Sequence, residues 1–157
     1  MTRLPAETER ALHLFRVLVR AHRSVVEHSV RDIKSHGLNP TEFAVLELLY
    51  HKGPQPLQRI ATSILLASGS VTYVVDKLEK NGMLRREACP TDRRVVYAVL
   101  TDQGRALLER IFPAHAEAIR RAVGGLSADE QETLIALLKR MGLHAQHLLD
   151  EAGARKG

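Results

Sequence analysis

In this chain of 157 residues, the side chains that most clearly suggest a binding function form a short cationic group. Asp92 is followed directly by Arg93 and Arg94, between two runs of β-forming residues. Guanidinium groups bind oxyanions through paired hydrogen bonds, so this group favours the binding of an anion. The net charge of +5 agrees, and the partner could be a nucleic acid, an acidic protein or a membrane surface. The alternative is a solvated turn with no partner.

A single cysteine, Cys89, comes just before this cationic group. One cysteine cannot form an internal disulfide or a cysteine-rich zinc site. Arg85, Arg86 and Arg93 lie near it in sequence and could lower the pKa of its thiol. One hypothesis is therefore a redox sensor, and the other is an incidental small residue at the end of a strand.

The sequence contains no recognisable catalytic or metal-binding motif. It lacks a P-loop, a dinucleotide-binding glycine motif and a Ser/His/Asp signature. His144 and His147 are one helical turn apart, but no third ligand is evident, so we expect an ordinary surface pair. We therefore expect a protein that is not an enzyme and has no catalytic residue, no bound metal and no cofactor.

The N-terminal segment does not have the pattern of a signal peptide, because it carries acidic residues where an apolar core is needed. No run of about 18 apolar residues, the length needed to span a membrane, occurs in the chain. We therefore expect a cytoplasmic protein that has no membrane partner.

The elements that must position the cationic group are mostly helices. Only 4% of the residues are aromatic, and Ala, Leu, Glu and Arg are frequent, which favours helices over strands. Apolar residues recur at helical spacing over 8–35, and Gly37 suits the end of that helix. The run Asn39-Pro40-Thr41-Glu42 has a capping Asn, a Pro at the first helical position and a Glu at the third. It predicts the start of a second helix.

A short third helix over 57–65, a turn at 67–69 and a fourth helix from Ser68 follow. Gly82 would end the fourth helix as a left-handed residue. Two β-prone runs, 84–88 and 95–100, predict a hairpin with a basic tip. Thr101 would cap a fifth helix in which Pro113 should bend or break the rod, and 127–130 would open a sixth helix.

Helix, turn, helix and basic hairpin in this order predict a winged helix-turn-helix. The second helix of the pair would enter a major groove about 12 Å wide, and the tip of the hairpin would reach the neighbouring backbone or minor groove. A pair of short helices alone is a weak signal for DNA binding, because such pairs occur in many helical bundles. The hairpin tipped with Asp92, Arg93 and Arg94 makes duplex DNA the favoured partner.

Particular motifs resemble the MarR family of regulators. The run DRRVVYAVLT is similar to that family's wing signature, with an Asp, an Arg two places later and a closing Leu-Thr. The segments LNPTEFAVLELL and LQRIATSILLASGSVTYVVDKLEKNGMLRRE are similar to its helix pair and recognition helix. The resemblance is strong over roughly 38–101 and looser in the flanking helices. ILLASGSVTYVVDKLE and REACPTDRR also resemble a subgroup that includes regulators of quinone and aromatic-compound detoxification.

The resemblance implies one MarR-type domain over 1–157, mainly α with a small β-hairpin wing. Residues 38–101 would form a winged helix-turn-helix DNA-binding lobe. Residues 5–36 and 102–152 would form a helical dimerisation lobe from the N- and C-terminal helices. These terminal helices also carry more apolar positions than a small lobe could cover, which independently favours a homodimer. The alternative is an intramolecular helical core in a monomer.

The resemblance also implies which residues contact DNA. Arg94 would insert into the minor groove, and Asp92 would hold its guanidinium in place. Arg93 would lie beside it on the wing. The recognition helix would present hydroxyls to the major groove and a lysine to a phosphate, through Ser68, Ser70, Thr72, Tyr73 and Lys77. The alternative for these residues is ordinary helix surface.

A small aromatic or phenolic ligand is a further implication of the resemblance. It would bind between the dimerisation helices and the DNA-binding lobe and would prefer one spacing of the two recognition helices. Candidate lining residues are Phe15, His22, Phe43 and Phe112, each of which could equally be plain core. The peroxide-sensing branch of the family uses a cysteine in the first helix, and this chain has none there.

The predicted function is therefore a repressor that an aromatic ligand releases from a pseudo-palindromic operator, with half-sites roughly 34 Å apart. One alternative is a non-specific architectural DNA-binding protein, whose affinity would depend on salt rather than on operator sequence. The other is a thiol-based redox sensor that uses Cys89.

Overall fold

The protein is described here by a computed structural model, which covers residues 4–64 and 71–154. The helices are α1 Ala6–Ser35, α2 Pro40–Lys52, α3 Leu57–Ser63, α4 Val71–Lys80, α5 Asp102–Ala122 and α6 Ala128–Ala154. The strands are β1 Gln55–Pro56, β2 Leu84–Ala88 and β3 Val96–Leu100. The predicted mainly helical fold with a β-hairpin wing is confirmed. The predicted turn at 67–69 lies outside the described residues.

The hairpin of β2 and β3 has a third strand that was not predicted. β2 pairs antiparallel with β3 from Leu84 opposite Leu100 to Ala88 opposite Val96. β1 pairs with the other edge of β3, so that the order is β1-β3-β2. A two-residue strand has no periodicity that a sequence pattern could reveal, and it contains Pro56, which is tolerated only on an edge strand.

The chain divides into two compact units, Met1–Arg120 and Arg121–Gly157. The first unit has an apolar core to which α1, α2, α3, α4, β2, β3 and α5 all contribute. Its buried apolar residues are Ile33, Phe43, Val45, Leu46, Leu49, Ile60, Val74, Val75, Leu78, Leu84, Ala98, Leu108 and Ile111. α2 supplies the central part of this core, because Val45, Leu46 and Leu49 are all fully buried.

The start of α2 is a complete capping box, as predicted. The side chain of Asn39 accepts a hydrogen bond from the Glu42 N–H at 2.8 Å, and the Glu42 carboxylate accepts one from the Asn39 N–H at 2.9 Å. Both N–H groups would otherwise lack a helical partner. α2 therefore begins at a defined residue, and the carboxylate of Glu42 is fixed at that end of the helix.

The end of α4 is joined to the start of α5. Gly82 has a φ of 72°, and the N–H of Met83 donates to Leu78 O at 2.9 Å, which is the predicted left-handed helix end. The Thr101 hydroxyl donates to Gly82 O at 2.6 Å and accepts from the Gly104 N–H at 3.1 Å. One side chain therefore caps α5 and binds the turn that ends α4.

Pro113 does not break α5, which continues from Asp102 to Ala122. Proline removes one backbone N–H from the helix ladder. Leu108, Ile111 and His115 lie buried on both sides of it, and their packing keeps the two halves of the helix together. Burial of this face outweighs the lost hydrogen bond.

The second unit consists mainly of α6, which opens with the predicted capping box between Ser127 and Glu130. None of the 27 residues of α6 is buried. Its exposed apolar residues are Leu134, Ile135, Leu137, Leu138, Leu143, Leu148 and Leu149. In the first unit, the N-terminal half of α1 also exposes Leu12, Leu14, Phe15, Val17 and Val19. No helix in the described part of the chain is long and apolar enough to cross a membrane.

Gly104 generates a stability prediction, because a Cβ there would collide with the carbonyl oxygen of Met83. We expect Gly104→Ala to lower the free energy of unfolding by about 1–3 kcal/mol, measured by urea titration. The matched control is Gly153→Ala in α6, beyond the predicted dimerisation segments, where a Cβ meets open space. That change should be neutral or stabilise by up to about 1 kcal/mol. Equal effects of the two substitutions would contradict the tight junction between α4 and α5.

Candidate nucleic-acid interface

One face of α4 is buried, and Thr72 and Tyr73 lie on its exposed side. Val74, Val75 and Leu78 lie in the core and fix the helix by its inner face. Thr72 and Tyr73 are exposed on the remaining surface, and Tyr73 is 69% exposed. A hydroxyl and a phenol on an exposed helix can hydrogen-bond to base edges and phosphates. The other two predicted contacts before this helix, Ser68 and Ser70, lie outside the described residues.

The tip of the wing holds a fixed but exposed guanidinium. The carboxylate of Asp92 accepts hydrogen bonds from Arg94 Nε at 3.2 Å, from Nη2 at 3.3 Å and from the Arg94 N–H at 3.0 Å. The side-chain hydrogen bonds from Arg94 hold the pKa of Asp92 below its usual value. The Arg94 side chain is nevertheless 91% exposed. Arg94 is therefore oriented by Asp92 and open to an anion, and Arg93 is exposed beside it.

A second arginine, Arg86 on β2, attaches the wing to α4. Its guanidinium pairs with Asp76 at 2.5 Å and with Glu79, both on α4. The Glu79 carboxylate also accepts the Arg86 N–H at 3.0 Å. Sequence reasoning considered Arg86 only as a neighbour of Cys89. No spacing rule relates a helix to the strand that follows it, so this pairing could not be found without the fold.

Lys77, predicted as a phosphate contact, has an intramolecular partner. Its ammonium pairs with Glu42 of the α2 capping box, and this hydrogen bond raises the pKa of Lys77. The two residues are on different helices and 35 positions apart in the chain. The sequence therefore identified the cation but not its partner.

Cys89 lies at the base of the wing tip and is half-buried. Its N–H donates to Val95 O at 2.9 Å, and its Sγ is 3.3 Å from the hydroxyl oxygen of Thr91. The hydrogen bond from the Thr91 side chain, with the N–H groups of Thr91 and Asp92, lowers the pKa of the thiol. The predicted direction agrees with this result, but the cause is local hydrogen bonding rather than the nearby arginines.

Three of the four predicted ligand residues are linked through histidine rings. Phe43 and Phe112 both lie beside His115, and Phe112 also meets His51, which lines the same crevice as His22. Phe15 and His22 are exposed on α1, whereas Phe43 lies in the core against His115, with ring centroids 4.4 Å apart. Phe112 is half-buried and meets the ring of His51 edge-on at 4.8 Å.

His22 lines an open crevice of about 680 Å³ between α1, α2 and α3. Its other described lining residues are Ala44, Glu47, Leu48, His51, Lys52, Ser63 and Ile64. The crevice volume is in the range of small-molecule sites, about 300–1,000 Å³. Sequence reasoning missed His51, because a histidine on an amphipathic helix gives no signal of a cavity.

A partly buried polar pair, His115 and Asp32, joins α1 to α5. Nδ1 of His115 is 2.9 Å from the carboxylate of Asp32, and Nε2 of His36 is 3.5 Å from the other oxygen of that carboxylate. His115 and Asp32 are 83 positions apart, so no sequence motif could pair them. Within residues 4–64 and 71–154, no group of three such side chains could hold a metal ion.

The family model for the MarR family matches residues 38–96. The chain is 62% identical over 143 residues to the uncharacterized HTH-type transcriptional regulator YkoM of Bacillus subtilis, covering 91% of this chain and 93% of YkoM. It is 58% identical over 139 residues to the HTH-type transcriptional regulator MhqR of the same organism, covering 88% of this chain and 96% of MhqR.

Two solved structures of DNA-binding proteins have a similar fold. The MarR family regulator Sco3205 of Streptomyces coelicolor, in complex with DNA, is 27% identical with a TM-score of 0.75, covering 90% of each chain. BpsR of Bordetella bronchiseptica, whose DNA binding is regulated by 6-hydroxynicotinic acid, is 28% identical with a TM-score of 0.70, covering 81% of this chain and 91% of BpsR. Close relatives, the matched family model and the winged-helix fold agree, and the chain belongs to the MarR family of DNA-binding transcriptional regulators.

Proposed function

We propose that this regulator is a homodimeric repressor that binds a pseudo-palindromic operator and leaves it when a small aromatic or phenolic ligand binds. The observation that carries the proposal is the wing tip, where Asp92 orients Arg94 while leaving it 91% exposed. A guanidinium held in place pays little ordering entropy when it meets phosphate oxygens or a narrow minor groove.

Duplex DNA would be contacted by α4 in the major groove and by the wing beside it. Thr72 and Tyr73 are the exposed α4 side chains for this role, and Arg93 and Arg94 are those of the wing. Ser68 and Ser70 would add hydroxyls just before α4. Few of the recognition-helix side chains can make bidentate base contacts, so the shape of the minor groove, read by the wing, would carry much of the specificity.

A second copy of the chain would cover the apolar residues of the terminal helices. α6 buries none of its residues, and the N-terminal half of α1 exposes Phe15 and several aliphatic side chains. Burying apolar surface lowers the free energy by about 25 cal/mol for each square ångström removed from water, so association with a second copy is favoured. Helices within 5–36 and 102–152 would form the dimerisation lobe, and its two-fold axis would set operator symmetry.

The ligand would use the crevice between α1, α2 and α3. Leu48 and Ile64 supply apolar walls, whereas Glu47 and His51 could hydrogen-bond to a phenolic hydroxyl. BpsR, a structural neighbour, responds to a hydroxylated aromatic acid. The ligand would release the protein from DNA only if it preferred one arrangement of the two recognition helices.

The proposal is tested by titrating the protein with DNA from upstream of its own gene, with random DNA of equal length as the control. We expect selective binding, two chains per operator and loss of binding when one phenolic or quinone compound is added. Equal, salt-controlled affinity for both DNAs would support the architectural alternative instead. Selective binding that no such compound relieves would contradict the ligand part of the proposal.

Arg94→Ala should weaken operator binding by about 1–3 kcal/mol while the dimer stays intact, because the minor-groove contact is lost. Arg31→Ala is the matched control, since it removes a similarly exposed, carboxylate-paired arginine from α1. Asp92→Ala should also weaken binding although it removes a negative charge, because it removes all three hydrogen bonds that orient Arg94. Tighter binding by Asp92→Ala would show that net charge, and not orientation, governs the wing.

Thiol sensing at Cys89 is a second candidate function, which the lowered pKa of the thiol favours. Cys89 is the only cysteine, so iodoacetamide alkylation reports on it alone. The pH midpoint of its alkylation rate should lie below that of an ordinary thiol, and Thr91→Val should raise it by removing the side-chain hydrogen bond. If a ligand and not thiol oxidation releases the protein from DNA, Cys89→Ser should leave DNA binding and its response to oxidants unchanged. A lost oxidant response would establish the redox sensor.

A further inference from the structure

The carboxylate of Glu42 is an ionisable group at the base of the DNA-binding lobe with little access to water. Glu42 is only 4% exposed, and both carboxylate oxygens have partners. Oε2 accepts the Asn39 N–H at 2.9 Å, and Oε1 pairs with the ammonium of Lys77. A buried charge is costly unless it is paired and hydrogen-bonded, so Glu42 requires Lys77.

Lys77 reaches the Glu42 carboxylate from α4, which packs against α2. Its side chain is 46% exposed, so solvent and Glu42 share it. It lies next to Leu78 and one turn after Val74, both of which are buried. The ion pair is therefore at the edge of the contact between α2 and α4, where it can limit the rotation of α4 about its own axis.

The apolar face of α4 cannot by itself set that rotation closely. Apolar contacts are non-directional, and a helix can shift slightly over them at low cost. An ion pair with a fixed carboxylate is directional. Glu42 is held by the capping box of α2, and on another side of α4 the pairs of Arg86 with Asp76 and Glu79 connect the helix to β2. Two polar connections, to α2 and to the wing, thus restrain α4.

We infer that Lys77 is a positioning residue, which sets the orientation of the recognition helix through Glu42 and does not serve as a phosphate ligand. The inference rests on the proposed function in that α4 is the helix that enters the major groove. If Lys77 turned to a phosphate, Glu42 would remain buried and unpaired, which opposes the exchange. Thr72, Tyr73 and the wing arginines would then carry the DNA contacts.

The test compares Lys77→Met, Glu42→Gln and the double variant with Lys80→Met. Methionine keeps most of the length of lysine without its charge, and glutamine can still accept the Asn39 N–H. Lys80 is an exposed cation one turn further along α4, so its variant controls for the loss of one charge. The measurements are the thermal midpoint, the affinity for operator and for random DNA, and the slope of log affinity against log salt.

Lys77→Met should lower the thermal midpoint and reduce the ratio of operator to random-DNA affinity by about tenfold, with an unchanged salt slope. Glu42→Gln should reduce the same ratio, although glutamate itself cannot bind phosphate. The double variant should be more stable than Lys77→Met, because no unpaired buried charge remains. Lys77→Arg should keep the wild-type ratio, since arginine can also pair with Glu42. Lys80→Met should leave the midpoint and the ratio unchanged.

The opposite pattern would overturn the inference. If Lys77→Met lowered the salt slope by about one, left the thermal midpoint unchanged and weakened both DNAs equally, Lys77 would be a phosphate ligand. A lowered midpoint with an unchanged affinity ratio would show a purely structural pair and would also overturn it. A wild-type protein that does not prefer operator would contradict the proposed function. In that case the salt slope on random DNA and the stability of the double variant still show whether Lys77 is a phosphate ligand or the ion-pair partner of Glu42.

Discussion

Val45, Leu46 and Leu49 lose nearly all contact with water at the centre of the first unit, and α1, α3, α4 and β3 are arranged around them. A helix that must bury several of its faces can do so only if other elements surround it. α2 is such a helix, and its position determines where the shorter elements can pack. α3 and α4 are too short to be stable helices in isolation, so they owe their structure to this burial.

Polar contacts then select one arrangement among those that the apolar core would allow. Arg86 joins the wing to α4, Lys77 joins α4 to Glu42, and Thr101 joins the end of α4 to the start of α5. Each contact spans two elements and has a fixed geometry. α4, the proposed recognition helix, is thus connected to α2, to β2 and to α5, and a regulator whose affinity depended on helix orientation would gain from such restraint.

The wing tip shows the same principle on a smaller scale. An unrestrained arginine at a loop tip would sample many rotamers and lose that freedom on binding. Asp92, two residues before Arg94, restricts these rotamers and leaves the guanidinium exposed. The apolar residues exposed on α1 and α6 are more numerous than scattered surface residues, and they are what favours the proposed association with a second copy of the chain.

The sequence by itself determined the local features: the capping boxes at Asn39 and Ser127, the left-handed turn at Gly82, the order of the elements and the wing motif at Asp92 and Arg94. These features depend on residues within a few positions of one another, so periodicity, capping rules and family motifs reveal them. The tertiary structure alone decided the short β1 strand, the partners of Arg86 and Lys77, the continuity of α5 through Pro113 and the contacts of Phe43 and Phe112 with His115. Each of these depends on groups that are distant in the chain, or on packing that outweighs a local preference. A pairing between distant residues is fixed by how the core brings the elements together, and that information is not contained in the spacing of residues along the chain.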